Sequence, residues 1–161
     1  MKVFISHQQR DSILAKKIYD ELKDRNVEAY LDVLDNLHEN DSEYLTNHLK
    51  KIMSSSSDIL VIMTENTKDS WWVPFEIGMA AEKDLRTVTY LHSLIDLPEY
   101  LDYWPRLSSI DDLNEYIEAH NKRLREERIW SSRGIDSYNF DSAKYTTKDF
   151  YDDLKNRLAR K

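Results

Sequence analysis

Cysteine is absent from all 161 residues, so disulfides, thiolate zinc sites and cysteine nucleophiles are excluded. Glycine is nearly absent: Gly78 and Gly134 are the only 2. That excludes the Gly-rich dinucleotide fingerprint and the P-loop. A nucleotide bound here must be held by side chains and ordinary helix N-termini. No apolar run approaches the length of a membrane span, and the opening Val3-Phe4-Ile5 is too short for a signal peptide, so a cytoplasmic protein that engages no membrane is expected. Positive charge is in the minority, 23 Lys and Arg against 30 Asp and Glu, a net −7 that argues against nucleic acid as a partner. The 5 histidines (His7, His38, His48, His92, His120) fall at no metal-ligand spacing. The acidic stretch 32–41 lacks the glycine and terminal glutamate of a calcium loop, so no metal is expected.

What is present reads as alternating strands and helices. Hydrophobic residues make up 40% and charged residues 33%, which is globular composition, and the length suits a single domain with its own core. Val3-Phe4-Ile5 ends in a polar loop, Ser6-His7-Gln8-Gln9-Arg10, after which Asp11 or Ser12 can cap a helix with Leu14, Ile18 and Leu22 inward. Val27 to Leu31 reads as a second strand, closed by Asp32. A helix with Leu45, Leu49, Ile52 and Met53 inward runs to the serine tract 54–57. Ile59-Leu60-Val61-Ile62-Met63 reads as a buried central strand, and Thr87 to Leu91 as a fourth, with a short fifth near Arg106-Leu107. Leu113, Tyr116, Ile117, His120 and Leu124 mark a further amphipathic helix, and Phe150, Leu154 and Leu158 a last one. This alternation, each strand–helix pair taking about 25 to 30 residues, predicts a doubly wound α/β fold with a central parallel sheet.

The chain is organised around Asp69-Ser70-Trp71-Trp72-Val73-Pro74-Phe75-Glu76-Ile77-Gly78, which follows the central strand after a polar turn. Pro74 fits a first helical turn, where a missing N–H costs nothing. That places the N-cap between Ser70 and Val73 and Glu76 near the helix start, with Phe75, Met79 and Ala80 toward the sheet. Trp72 and Glu76, four apart, share a face. An apolar plate beside a carboxylate, beyond the carboxyl end of a strand, suits a flat cationic or cation-forming ligand. Against that stands the ordinary preference of first turns for Glu. A Ser6–His7–Asp32 triad can be drawn only on paper, since adjacent residues rarely face each other and no nucleophile elbow is present.

Phe4-Ile5-Ser6-His7, Asp11, Tyr30-Leu31-Asp32, the strand through Met63 with Thr64-Glu65-Asn66, and Ser70-x-Trp72-x-x-x-Glu76-x-Gly78 together resemble a Toll/interleukin-1 receptor (TIR) domain. The resemblance divides the chain into a TIR-like domain over 1–129 and a C-terminal extension, 130–161, packed on it. It implies a flavodoxin-like three-layer α/β/α fold. Some TIR domains cleave NAD at the nicotinamide–ribose bond with the last residue of that signature, here Glu76, as the catalytic carboxylate. NAD is then a substrate and no cofactor is required. Substrate-binding positions on this reading are Ser6, His7, Gln8, Arg10, Asp32, Ser70 and Trp72, with Arg10 the nearest cation for a pyrophosphate. The loop 32–41 forms part of the family's site and serves self-association between subunits. Its lack of glycine, and His7 where a tyrosine is common, are departures. The short chain is similar to stand-alone TIR proteins of Thoeris-type antiphage systems, whose cyclic ADP-ribose-like signal activates a separate effector. The rivals are a non-enzymatic TIR module acting by self-association and a nucleoside deoxyribosyltransferase-like enzyme. A response-regulator receiver fits poorly, because Ser6-His7 and Thr64-Glu65 stand where its acidic residues belong.

Overall fold

The computed structural model describes residues 1–31, 42–92, 95–132 and 147–161. Two compact units divide the chain, Met1–Ile110 and Asp111–Lys161. The first carries β1 (Lys2–Ser6), α1 (Ser12–Asp24), β2 (Glu28–Leu31), α2 (Ser42–Ser55), β3 (Asp58–Met63), α3 (Trp72–Glu82), β4 (Arg86–Leu91) and β5 (Arg106–Leu107). The strands form one sheet in the order β2-β1-β3-β4-β5, and every pairing is parallel. This is the doubly wound parallel sheet that the alternation predicts, in the flavodoxin-like order that the family resemblance implies.

Parallel strands are covered on both faces, and β3 shows it: all of its residues from Asp58 to Met63 are buried. Ile59, Val61 and Met63 join Phe4 of β1 in a core completed by Leu49, Ile52 and Met53 of α2 and Val73, Ile77 and Ala80 of α3. The alternate residues Leu60 and Ile62, with Val3 and Ile5 of β1, are also fully buried and point the other way. On α1 the buried positions are Ala15, Ile18 and Leu22; Leu14, expected inward, is only half-buried.

Lacking glycine, the chain ends two helices with other residues in the left-handed region, Asn26 after α1 (φ 59°) and Asp84 after α3 (φ 52°). Asn and Asp tolerate this conformation better than other side chains. Leu85 N–H then bonds Ala80 O at 3.0 Å, which closes the end of α3.

Phe75 corrects the sequence reading. It was expected toward the sheet but is 44% exposed. The inward face of α3 is Val73, Glu76, Ile77 and Ala80, spaced by three, four and seven residues. Phe75, one residue before Glu76, is turned about 100° away by the helical repeat. It lines a groove of about 640 Å³ with Pro74, Met79 and Lys50.

The second unit holds α4 (Asp112–Ser132) and α5 (Thr147–Leu158). α4 runs without a break through positions 129 and 130. Tyr116 of α4 meets Phe150 of α5 edge-on, with ring centroids 6.2 Å apart. Lys122 donates to Asp153 at 3.0 Å, and Arg157 to the same carboxylate at 2.8 Å.

Candidate functional site

A sheet in the order 2-1-3-4-5 reverses direction between β1 and β3. The chain leaves β1 toward β2 on one side and β3 toward β4 on the other. The crevice beyond the carboxyl ends of those two strands is where open α/β sheets bind ligands. Ser6 is the last residue of β1, in register with Val61 of β3, and is fully buried. Its hydroxyl donates a short hydrogen bond to Oε2 of Glu76, itself 0% exposed. Two residues 70 positions apart thus meet at the switch point.

Local chemistry delivers Glu76 to that place. After β3, Thr64 accepts from Asn66 N–H at 3.0 Å, and Thr67 Oγ1 accepts from Thr64 N–H at 3.0 Å. This reciprocal cap opens the 3-10 turn Glu65–Asp69. Ser70 Oγ then accepts from the N–H groups of Trp72 and Val73, both at 3.2 Å, and starts α3. Pro74 falls third in the helix, where its missing N–H leaves no bond unmade. Glu76 is fifth, just past the first turn. The helix dipole fades over that distance, so the Ser6 hydroxyl, more than the dipole, holds the carboxylate.

Trp72 lies one turn before Glu76. It packs partly buried on the core cluster, with its ring centroid 5.4 Å from that of Phe75. Its indole Nε1 is buried and has no hydrogen-bond partner among the described residues. Trp71, beside it, is 95% exposed.

The segment after β1 supplies the opposite rim. His7 and Gln8 are half-buried, and Arg10 is exposed on the 3-10 turn Gln9–Asp11. Gln8 Oε1 accepts from Arg10 N–H at 2.5 Å. The Arg10 guanidinium makes no ion pair among the described residues. Asp11 was expected as a cap for α1, yet its carboxylate makes no capping bond. It is buried and accepts instead from Thr64 Oγ1 and Asn66 Nδ2, both at 2.7 Å. A missing cap costs about 1 kcal/mol, so the cross-loop bonds must at least offset that loss.

Of the residues singled out in the sequence, Ser6 and Glu76 meet, and Trp72 precedes Glu76 by one helical turn. His7, Gln8 and Arg10 follow Ser6 directly, and Ser70 caps the helix that carries Glu76. Asp32 and the loop 32–41 lie outside the described residues. Sequence reasoning missed the cross-loop partnership of Asp11 with Thr64 and Asn66. The available signal was an aspartate and a Thr-x-Asn, each just beyond a strand of the same switch point. Among the described residues, no group of three or more His, Asp or Glu could hold a metal ion, and no helix is long and apolar enough to cross a membrane.

A family model described as "TIR domain" matches residues 3–128. Over 84 residues the chain is 34% identical to a Cytobacillus dafuensis protein named "Putative cyclic ADP-D-ribose synthase TIR2". That match takes in 50% of this chain and 22% of the relative, so the chain spans less than a quarter of that protein's length. Two solved structures share the fold at low identity. One is a 2-deoxyribosyltransferase from Bacillus psychrosaccharolyticus (TM-score 0.61, 10% identity, 70% of this chain and 90% of that one). The other is the TIR domain of the Toll-related receptor TRR-2 of Hydra magnipapillata (TM-score 0.56, 11% identity, 78% and 95%).

Proposed function

This chain belongs to the TIR domain family, and on that premise we propose that it is an NAD-cleaving enzyme with Glu76 as its catalytic carboxylate. The observation that carries the proposal is the buried Glu76 held by Ser6 at the β1/β3 switch point, one turn from Trp72. The bond from ribose C1′ to the nicotinamide nitrogen breaks, and its electron pair leaves with nicotinamide, which becomes neutral. Positive charge develops on the ribose. A fixed carboxylate in a site closed to water stabilises such an oxocarbenium-like state far better than it would in solvent. Ser6 fixes one carboxylate oxygen, and the Trp72 face can cover the nicotinamide or ribose and exclude water. Arg10 lies on an exposed turn where it can meet a pyrophosphate.

Water adding to C1′ gives ADP-ribose, whereas a nucleophile on the same molecule closes a cyclic ADP-ribose-type product. The name of the C. dafuensis relative favours the cyclic arm. A cyclic product would act as a diffusible signal to a separate effector, in the manner of bacterial antiphage defence. Self-association through the loop 32–41 completes the reading, with NAD as substrate and no cofactor. The test is chromatography of products after incubating concentrated protein with NAD. Nicotinamide appearing together with linear or cyclic ADP-ribose is expected. Intact NAD at high protein concentration would leave only a non-enzymatic assembly module, and cleavage of nucleosides alone would move the activity to deoxyribosyl transfer.

A further inference from the structure

We propose that Asp11 is a positioning residue for the Ser6–Glu76 pair, acting through the segment 7–10 and through the turn that starts α3. The inference rests on the reading of Glu76 given above. Bonded contacts join the rim after β1 to the elements after β3, among them Ser6 to Glu76 and Asp11 to Thr64 and Asn66. Between them runs 7–10 on one side, and on the other Thr64 through Ser70 to Glu76. The result is a closed ring with His7, Gln8, Arg10, Ser70 and Trp72 strung along it.

Asp11 is buried yet gives its own helix no capping bond. Both of its carboxylate oxygens go across the crevice, to Thr64 at 2.7 Å and to Asn66 at 2.7 Å. Thr64 is in turn locked to Thr67, whose hydroxyl donates to Ile62 O at 3.1 Å inside β3. Asp11 therefore ties the segment after β1 to the centre of the sheet. Misplacing a reacting group by about 1 Å can cost on the order of 100-fold in rate, so a clamp at this point governs catalysis beyond its effect on folding.

An amide swap tests this. In Asp11→Asn, the new amide O still accepts from Thr64, and Asn66 can turn its own amide to accept from the new NH2. In Asn66→Asp two carboxylates face each other and repel. The double variant Asp11→Asn/Asn66→Asp restores a donor–acceptor pair. NAD turnover is measured for these and for Asp11→Ala, per folded molecule and well below each variant's melting temperature. Amide hydrogen exchange of segments 7–12 and 64–72 is followed in parallel. Asp11→Ala and Asn66→Asp should lose about 10- to 100-fold in kcat and exchange faster in both segments. Asp11→Asn and the double variant should stay within about threefold of the wild type, the margin expected when both bonds are re-formed. Lowered melting temperature with unchanged kcat per folded molecule would make Asp11 merely structural and overturn the proposal. If the wild-type protein leaves NAD intact, the reading of Glu76 fails. The exchange arm then decides alone, and unchanged protection of both segments in Asp11→Ala overturns the clamp.

Discussion

At the start of β3 Asp58 is fully buried beside a serine hydroxyl; beyond the other end of the sheet Glu76 is fully buried beside another. The surroundings differ. Ser57, adjacent in sequence, donates to Asp58 Oδ2 at 2.5 Å, and Arg86 stands 3.6 Å from the same oxygen. Asp58 and Arg86 are also register partners in β3 and β4. Ser57 further exchanges bonds with Lys2 of β1, its N–H reaching Lys2 O at 2.9 Å. The lower carboxylate thus fastens the beginnings of three neighbouring strands. The upper one joins a strand end to a helix across a crevice, where no regular pairing needs it. A buried carboxylate is therefore not by itself a sign of catalysis. Its place relative to the strand ends, and the kind of element it joins, separate the structural role of Asp58 from the role proposed for Glu76.

The largest effect is expected at Asp58. Asp58→Ala removes the carboxylate beside the Arg86 side chain, which is only 17% exposed. Breaking one side of such a pair costs about 3–5 kcal/mol, readable as a lowered urea midpoint, while NAD turnover per folded molecule should not change. Glu76→Gln should do the reverse. Gln can still accept from Ser6 but presents no charge to the developing cation, so turnover should fall about 100-fold, the scale for one lost electrostatic contact to a transition state. Removing a buried charge while keeping its hydrogen bond should leave stability equal or higher. Full NAD cleavage by a folded Glu76→Gln protein, or a stable Asp58→Ala protein that has lost turnover, would break the contrast.

The lower cluster was closer to legible than the upper one. Asp58 and Ser57 adjoin in sequence, and every strand could be read from its apolar run, because a parallel strand covered on both faces leaves an uninterrupted signature in residues such as Ile59 to Met63. The signature around Glu76 marked the site, but its bond to Ser6 depends on the β1–β3 register, which nothing local encodes. Asp11 shows the same limit. Beside a helix start it reads as a cap, and only the tertiary approach of Thr64 and Asn66 gives its carboxylate better partners. Phe75 failed for another reason: an aromatic in an apolar stretch draws attention inward, but the phase of α3 is set by Val73, Ile77 and Ala80 with Glu76 among them.

The outer face of α3 should respond to substitution by helix propensity alone. Gly78 is exposed inside the helix, and an added Cβ would meet nothing within 4 Å. Gly78→Ala should raise stability by about 0.5–1 kcal/mol through helix propensity alone, measured by urea unfolding. A destabilised variant would mean that the helix needs glycine there for a reason the outer face does not show.

The smallest effect is expected at a third carboxylate, one that has ion pairing without full burial. Asp153 of α5, 19% exposed, accepts from Arg157 at 2.8 Å and from Lys122 at 3.0 Å. Burial pushes its carboxyl upward, but the hydrogen bonds and charges of Arg157 and Lys122 outweigh that together and hold it below its ordinary 3.8. A carboxylate depressed in the folded state stabilises the fold above the unfolded value, and that contribution disappears as pH falls through the folded one. Because Arg157 and Lys122 stay partly in water, 27% and 39% exposed, the pair is screened and its worth falls to about 0.5 kcal/mol. Asp153→Asn should therefore be about 0.5 kcal/mol less stable than the wild type at pH 7, and the gap should close as pH drops below about 4. Raising salt should shrink it as well, since such pairs are screened over about 10 Å at 0.1 M. A gap that persists unchanged at low pH would mean that Asp153 contributes through packing and shape, and that its charge has no role to set beside those argued for Asp58 and Glu76.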